Sequence, residues 1–167
     1  MALVIGLVGE KGGGKGTFAA MLTDIATEKQ IASLRFSDLL RETLDLWHIP
    51  STRANLQKIA VVIDEGFGAG TLSNATYERV SKFSANVVVI DGVRWETDVA
   101  LIRRFPKNLL VYITADVCIR YDRTIARGEK SGESTTSFEQ FMQEEQAPNE
   151  LLISKFGRAA DCIIKNE

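Results

Sequence analysis

The sequence predicts a three-layer α/β sandwich: a parallel five-stranded sheet with helices on both faces. Three observations carry that prediction. Short apolar runs alternate with helical stretches along all 167 residues. The run Val87-Val88-Val89-Ile90 is uninterrupted and β-branched, as in a strand buried on both faces. The first apolar run, Leu3 to Val8, leads directly into Gly9-Glu10-Lys11-Gly12-Gly13-Gly14-Lys15-Gly16-Thr17. Strands that alternate with helices of this length imply a parallel sheet, with ligands held at the strands' carboxyl ends.

The elements follow in order. A strand over Ala2 to Val8 precedes the glycine loop, and a helix over Gly16 to Thr27 follows it, its apolar positions Phe18, Met21, Leu22 and Ile25 falling on one face. A short strand is expected over Ala32 to Phe36. Ser37 or Asp38 can cap the next helix, Leu39 to about Trp47, and Pro50-Ser51 breaks the chain before a longer helix from Thr52. Gly66, Gly68 and Gly70 interrupt that helix, and another follows over Ser73 to Ser84. The run Val87 to Ile90 is the central strand. A helix over Thr97 to Arg104, a strand over Leu109 to Ile113, a helix over Val117 to Arg127, helical stretches between Ser137 and Lys155, and a strand over Cys162 to Ile164 complete the pattern.

The glycine loop is a phosphate cradle. Phosphate binding needs backbone N–H groups turned inward around an anion, and glycines tolerate the φ values and close backbone approach this requires. Gly9, Gly12, Gly13, Gly14 and Gly16 supply the loop, and Lys15 adds a charge that can reach β/γ-phosphates. The helix that begins there favours negative charge at its N-terminus. The spacing matches G-x-x-x-x-G-K-[ST] except at the last position, where Gly16 stands and the hydroxyl arrives one residue later as Thr17.

Composition narrows the remaining possibilities. An apolar fraction of 45% and a charged fraction of 25% are those of an ordinary globular domain. A net charge of −2 gives no general attraction to nucleic acid or anionic membrane. No apolar stretch approaches the ~20 residues a membrane helix needs, so a cytoplasmic protein is expected. Cys118 and Cys162 match no metal or redox spacing and are expected as small core residues in a reducing compartment. His48, the single histidine, is expected at a helix end. Histidine-dependent hydrolysis, thiol catalysis and a zinc site all lack the groups they need.

Chemistry-bearing residues gather at the expected strand ends. Arg35-Phe36-Ser37-Asp38-Leu39-Leu40-Arg41 follows the second strand and Asp91-Gly92-Val93-Arg94 ends the third. Asp91 is placed to hold Mg²⁺ through water while the cation bridges phosphate oxygens, with Thr17 as a further candidate for the metal. Arg41 and Arg94 can face one anion across the crevice, the planar guanidinium fork suiting phosphate oxygens. Arg103 and Arg104 are expected as solvated surface charges. Arg123 and Arg127, four apart, share a helix face, and the glycine- and serine-rich stretch from Gly128 to Ser134 has the composition of a loop able to close over nucleotide.

Together these segments resemble the nucleoside monophosphate kinase group of P-loop NTPase-fold phosphotransferases, of which adenylate kinase is the best-known member. The loop is similar to that group's G-x-x-G-x-G-K-G-T. The resemblance implies one kinase domain over residues 1–167, with an acceptor-binding helical region at about 38–85 and a short lid at about 123–137. It implies that Ser37, Asp38 and Arg41 belong to the acceptor helix, that Asp91-Gly92-Val93-Arg94 corresponds to a D-G-[FIV]-x-R strand end, and that Asp122 to Arg127 enters the lid. Asp91-Gly92-Val93-Arg94 and the ending Ala160-Asp161-Cys162-Ile163-Ile164-Lys165-Asn166 also look like dephospho-CoA kinase. Between Ser137 and Leu152, where the family places further arginines, stand Gln140, Met142, Gln143, Glu144, Glu145 and Gln146. Either Arg120 or Arg158 then substitutes for them, or phosphoryl transfer is weakened.

The expectation is an ATP- and Mg²⁺-dependent kinase acting on a small nucleotide-like acceptor. Lys15, Arg94, Arg123 and Arg127 are the expected catalytic residues. Gly9, Gly12 to Gly14, Lys15, Gly16, Thr17 and Arg158 are expected to bind nucleotide, and Ser37, Asp38, Arg41, Asp91 and Arg94 the acceptor. A nucleotide-binding switch with little or no hydrolysis is the competing expectation.

Overall fold

The computed structural model describes residues 2–128, 135–146 and 148–167, without the side chains of Arg53, Pro148 and Asn149. Five strands, β1 (Leu3–Val8), β2 (Ile31–Arg35), β3 (Val87–Asp91), β4 (Asn108–Thr114) and β5 (Cys162–Lys165), form one sheet in the order β2-β3-β1-β4-β5. Every pairing is parallel, with Ile5 opposite Val89 on one side and Leu109 on the other. The chain places β2 and β3 on one side of β1, then crosses to place β4 and β5 on the other. That reversal puts a crevice at the carboxyl end of β1, where ligands of open α/β sheets bind.

The strand sequences explain the order. Val87 to Ile90 and most of β1 are apolar at every position and buried on both faces, so they lie in the middle. Val4, Val8, Val88, Ile90 and Leu110 pack beneath α5 (Glu96–Arg103) and α8 (Pro148–Arg158), through Leu101, Ile102, Ile153 and Phe156. Ile5, Leu7, Val87, Val89, Val111 and Ile113 face α1 (Lys15–Ile25), which contributes Phe18, Ala19 and Leu22. Two expectations fail here. Met21 and Ile25, read as part of the apolar face of α1, are 54% and 76% exposed, because the sheet covers only the width of Phe18 to Leu22. Cys118 and Cys162, expected in the core, are both exposed, Cys162 because β5 is an edge strand.

Between β2 and β3 lie α2 (Phe36–Leu46), α3 (Arg53–Phe67) and α4 (Thr71–Ser81). They hold their own small core of Leu40, Leu44 and Ile59, with Leu56, Ile63 and Leu72 packed around it. The α2 helix starts earlier than its expected cap. Phe36 is already helical, and the Asp38 carboxylate accepts the Arg35 N–H at 2.7 Å, so Asp38 closes the first turn from inside. Gly66 sits within α3, and the helix stops at Gly68 (φ 96°), a left-handed conformation that a side chain rarely adopts. His48, at φ 56°, lies in the turn after α2, as a helix-end residue should. The remaining helices are α6 (Val117–Arg127) and α7 (Phe138–Glu145). Among the described residues no helix is long and apolar enough to cross a membrane.

The turn from β3 to α5 is fixed by Asp98, which is 5% exposed and accepts the Arg94 and Trp95 N–H groups at 2.9 and 3.0 Å. Burial raises its carboxyl from 3.8 to about 6, against the two backbone donors and the Arg94 charge, which pull the other way. Asp98 therefore binds its proton more tightly in the folded chain than in the unfolded one. Its contribution to stability is complete below the unfolded value and is lost as pH rises through about 6. In Asp98→Asn, which keeps an acceptor and removes the buried charge, this dependence disappears. Urea unfolding at pH 4 to 7 should show the variant gaining on the parent as pH rises, by up to about 3 kcal/mol. A parallel pair of stability profiles would rule the carboxylate out as the cause.

Candidate active site

Residues 9–14 wedge between β1, the end of β4 and the start of α6. A Cβ on Gly9 would lie 2.2 Å from the Ile113 carbonyl oxygen. Gly12, at φ 77°, would meet the Arg120 carbonyl at 2.4 Å, and Gly14, at φ 102°, would meet the Asn166 side-chain amide at 2.1 Å. Gly14 is also the N-cap of α1, without a side-chain cap, so the first N–H groups of that helix face the loop. The Lys15 ammonium donates to the Gly9 and Glu10 carbonyls at 2.7 and 3.0 Å. Burial lowers its pKa; Arg94 pulls the same way, while Asp91, Glu150 and Glu10 oppose. Gly16 differs from the other glycines of the loop, because a Cβ there would meet nothing within 4 Å. Thr17, next to it, is exposed.

Asp91 ends β3 beside β1. One of its oxygens lies 3.7 Å from Arg35 Nε, and the other, Oδ1, is buried with no hydrogen-bond partner. Among the described residues no three His, Cys, Asp or Glu side chains cluster to hold a metal. A single unpartnered carboxylate beside a phosphate loop fits a hard cation that takes its remaining ligands from phosphate and water, as Mg²⁺ does. Glu10 Oε2 is also buried without a partner, while the Tyr112 hydroxyl donates to the Glu10 carboxylate. Burial and that carboxylate raise the Tyr112 pKa.

Three cations beside the loop carry carboxylates that the sequence reading missed. Arg94 Nη1 donates to Glu150 Oε1 at 2.5 Å. Arg120, 6% exposed, meets Glu145 with both Nη atoms at 2.5 and 2.7 Å and donates Nε to the Ala115 carbonyl. Burial alone would lower the Arg120 pKa, yet Glu145 holds it above its ordinary value. Lys11 pairs with Glu144 at 3.4 Å. Phe141, buried between them, lies under both Lys11 and Arg120. One sequence signal pointed this way: Glu144 and Glu145 end α7, where the helix dipole disfavours carboxylates unless cations face them.

The other expected residues scatter more widely. Arg123 donates to the Asn166 carbonyl at 2.9 Å, and Asn166 Nδ2 donates to the Gly13 carbonyl at 3.2 Å, so Arg123 lies beside the loop. Arg127 is exposed at the end of α6, and the lid expected over 123–137 falls partly outside the described residues, at 129–134. Ser37 and Arg41 are half-buried on α2, at the carboxyl end of β2. Arg158 is not brought to the site. The α8 helix runs back toward the amino ends of the strands, leaving its last residue exposed there, as Asp161 bonds the Leu110 N–H. Arg103, expected as a solvated surface charge, is exposed and forms a forked pair with Asp161. Arg104 lies over the Tyr77 ring.

A scan of family models gives no match to this chain. A UPF0200 protein of Methanoculleus marisnigri is 32% identical over 168 residues, covering 98% of this chain and 87% of the relative. Among solved structures, the shikimate kinase of Bacteroides thetaiotaomicron superposes with a TM-score of 0.59 at 17% identity, over 98% of this chain and 86% of that one. The protein TT1252 of Thermus thermophilus superposes at 0.58 and 18% identity, over 99% and 89%. At such identities the likeness is one of fold: a parallel α/β sandwich shared with these proteins.

The loop geometry separates two glycines that look alike in sequence. Gly12→Ala sets a left-handed φ against a backbone collision and should lose roughly 1–3 kcal/mol or more in urea unfolding. Gly16→Ala meets open space in a helix and should hold or gain about 0.5 kcal/mol. Equal losses in the two variants would contradict the wedge.

Proposed function

The chain belongs to the UPF0200 family, and from its loop geometry we propose that it is an ATP-dependent phosphotransferase acting on a small nucleotide-like acceptor. The single observation behind this reading is the glycine wedge set against the Ile113 and Arg120 carbonyls at the start of α1, with the Lys15 ammonium held on its Gly9 and Glu10 carbonyls and the Asp91 carboxylate oxygen buried without a partner at the end of β3. A fold shared with shikimate kinase agrees with a phosphoryl-transfer role.

In this reading the loop N–H groups and Lys15 hold the β/γ-phosphates, and Thr17 a neighbouring phosphate. Asp91 orients the hydrated metal. Mg²⁺, when bound, supplies charge that bridges phosphate oxygens. Arg41 and Arg94 meet the acceptor, and Arg123 with Arg127 brings positive charge over the transferred group. Phosphoryl transfer asks mainly for such positioning and charge, so the absence of a histidine at the site is no obstacle.

The acceptor has two readings. A nucleoside monophosphate brings an ionised oxygen and needs no base. A hydroxyl acceptor, as in the dephospho-CoA kinase likeness, needs Asp38 or Asp91 to orient it.

The test is ADP formation from Mg-ATP with a panel of ribo- and deoxynucleoside monophosphates, dephospho-CoA and shikimate. Acceptor-dependent ADP is expected. Acceptor-independent release, the mark of a slow switch, or no release at all would sink the proposal. Lys15→Ala should lower turnover roughly 10²-fold or more. Arg94→Ala should chiefly raise the KM for acceptor, and parent-like kinetics in both variants would remove these roles.

A further inference from the structure

Glu150 belongs to none of the roles above, yet it stands at the centre of the site's charge. Its side chain is 13% exposed against 36% for Arg94, so the pair is largely withdrawn from solvent. It is close enough to Lys15 to act on that ammonium, as are Asp91 and Glu10. With Glu10, Arg120 and Glu145 it lines a cavity of ≈ 150 Å³ beside the loop. A carboxylate in the first turn of α8 is also favoured by the helix dipole. That accounts for an acidic residue at the position, but not for its closing onto Arg94 across 56 residues of sequence.

Charge decides what the subsite near Arg94 accepts. A guanidinium alone would draw a phosphate dianion. A guanidinium already joined to a carboxylate is neutral as a pair, and a dianion placed beside it meets Glu150 as well. Like charges brought together in a partly desolvated site are strongly disfavoured. Two further cations beside the loop are likewise committed, Lys11 to Glu144 and Arg120 to Glu145. Lys15 touches only carbonyl oxygens and remains for the polyphosphate.

We propose that Glu150 sets the acceptor class: by neutralising Arg94 it turns the acceptor subsite away from phosphate monoesters and toward an uncharged hydroxyl. The inference rests on the phosphotransferase reading above. The acceptor oxygen bonds to the γ-phosphorus as the bond to the β–γ bridging oxygen breaks, ADP leaves with that electron pair, and the hydroxyl proton passes to the transferred phosphoryl oxygens. Glu150 is a specificity residue, acting through Arg94 and not on the reacting atoms.

The test fills the donor site with a non-hydrolysable Mg-ATP analogue and titrates nucleoside monophosphates and the matching nucleosides against the parent, Glu150→Gln and Glu150→Asp. The parent and Glu150→Asp should bind the monophosphates weakly. Glu150→Gln should bind at least one of them roughly tenfold more tightly, with nucleoside affinity unchanged, since only the dianion senses the lost charge. No gain in a folded Glu150→Gln protein, or an equal gain for nucleosides, overturns the proposal. Should Glu150→Gln fail to fold, the parent alone decides: a higher kcat/KM with monophosphates than with hydroxyl acceptors overturns it, and the reverse order supports it. Failure of the analogue to bind, or of any acceptor to elicit ADP, strikes the phosphotransferase reading instead, while the monophosphate titration still reads the charge effect.

Discussion

The contact on which this structure depends is backbone against backbone: the glycine loop pressed onto the Ile113 and Arg120 carbonyls. No side chain fits in that space, so the loop cannot relax by repacking. Its position is set by where β4 ends and α6 begins, and those in turn by the register of β4 on β1, with Val8 opposite Tyr112. The cradle is thus an outcome of sheet pairing. It is closed from a third side by Asn166, whose N–H is held by the Thr114 carbonyl and whose amide bonds Gly13. Four separate segments meet there, three of them strand ends or the turns that follow and the fourth the first turns of α6.

That rigidity has an electrostatic cost. Strand ends in a parallel sheet bring polar backbone, Lys15, Asp91 and several arginines into one crevice with little water. A buried unpaired guanidinium is strongly destabilising, and pairing it is the ordinary remedy. Glu145 does this for Arg120 inside the fold, where the pair joins α6 to α7 and both to the Lys11 carbonyl. Phe141 fills the space between Lys11 and Arg120, so removing either cation would disturb packing as well as charge. The two carboxylates ending α7 stand against their own helix dipole, and their position is explained only by the cations they meet.

The architecture was readable because its signals are local. A β-branched run such as Val87 to Ile90 can hardly be anything but a central strand, and a glycine loop between a strand and a helix carries its geometry in composition alone. Helix α6 was expected over the very residues it occupies, because Asp116 caps it and Gly128 ends it at φ 54°. The errors share one origin. Whether Met21, Ile25, Cys118 or Cys162 is covered depends on how far the neighbouring layer extends, which periodicity does not record. The charge pairing was illegible for the same reason. Three helices and a strand separate Arg94 from the helix that carries Glu150, and no spacing in the chain announces their meeting. Arg158 shows the converse: its basic character fits the expected role, but the direction of α8 carries it to the wrong end of the sheet.

Gly16 is where sequence and structure together say more than either alone. By sequence it is a missing hydroxyl in a familiar loop. By sterics it is the one loop glycine with open space around its Cβ position, so the backbone does not demand it. The fold would accept a serine there, as it would not at Gly12. The packing of the loop therefore does not require glycine at this position, in contrast to the glycines on either side of Glu10 and Lys11. In the proposed reading this leaves Asp91, with its unpartnered buried oxygen, as the chain's principal means of fixing the metal's water shell. It also leaves Thr17, exposed one step further along α1, facing a different part of the polyphosphate. In that reading the donor half is held by backbone, Lys15 and the Asp91 carboxylate, while Glu150 moderates the charge of Arg94 on the acceptor half.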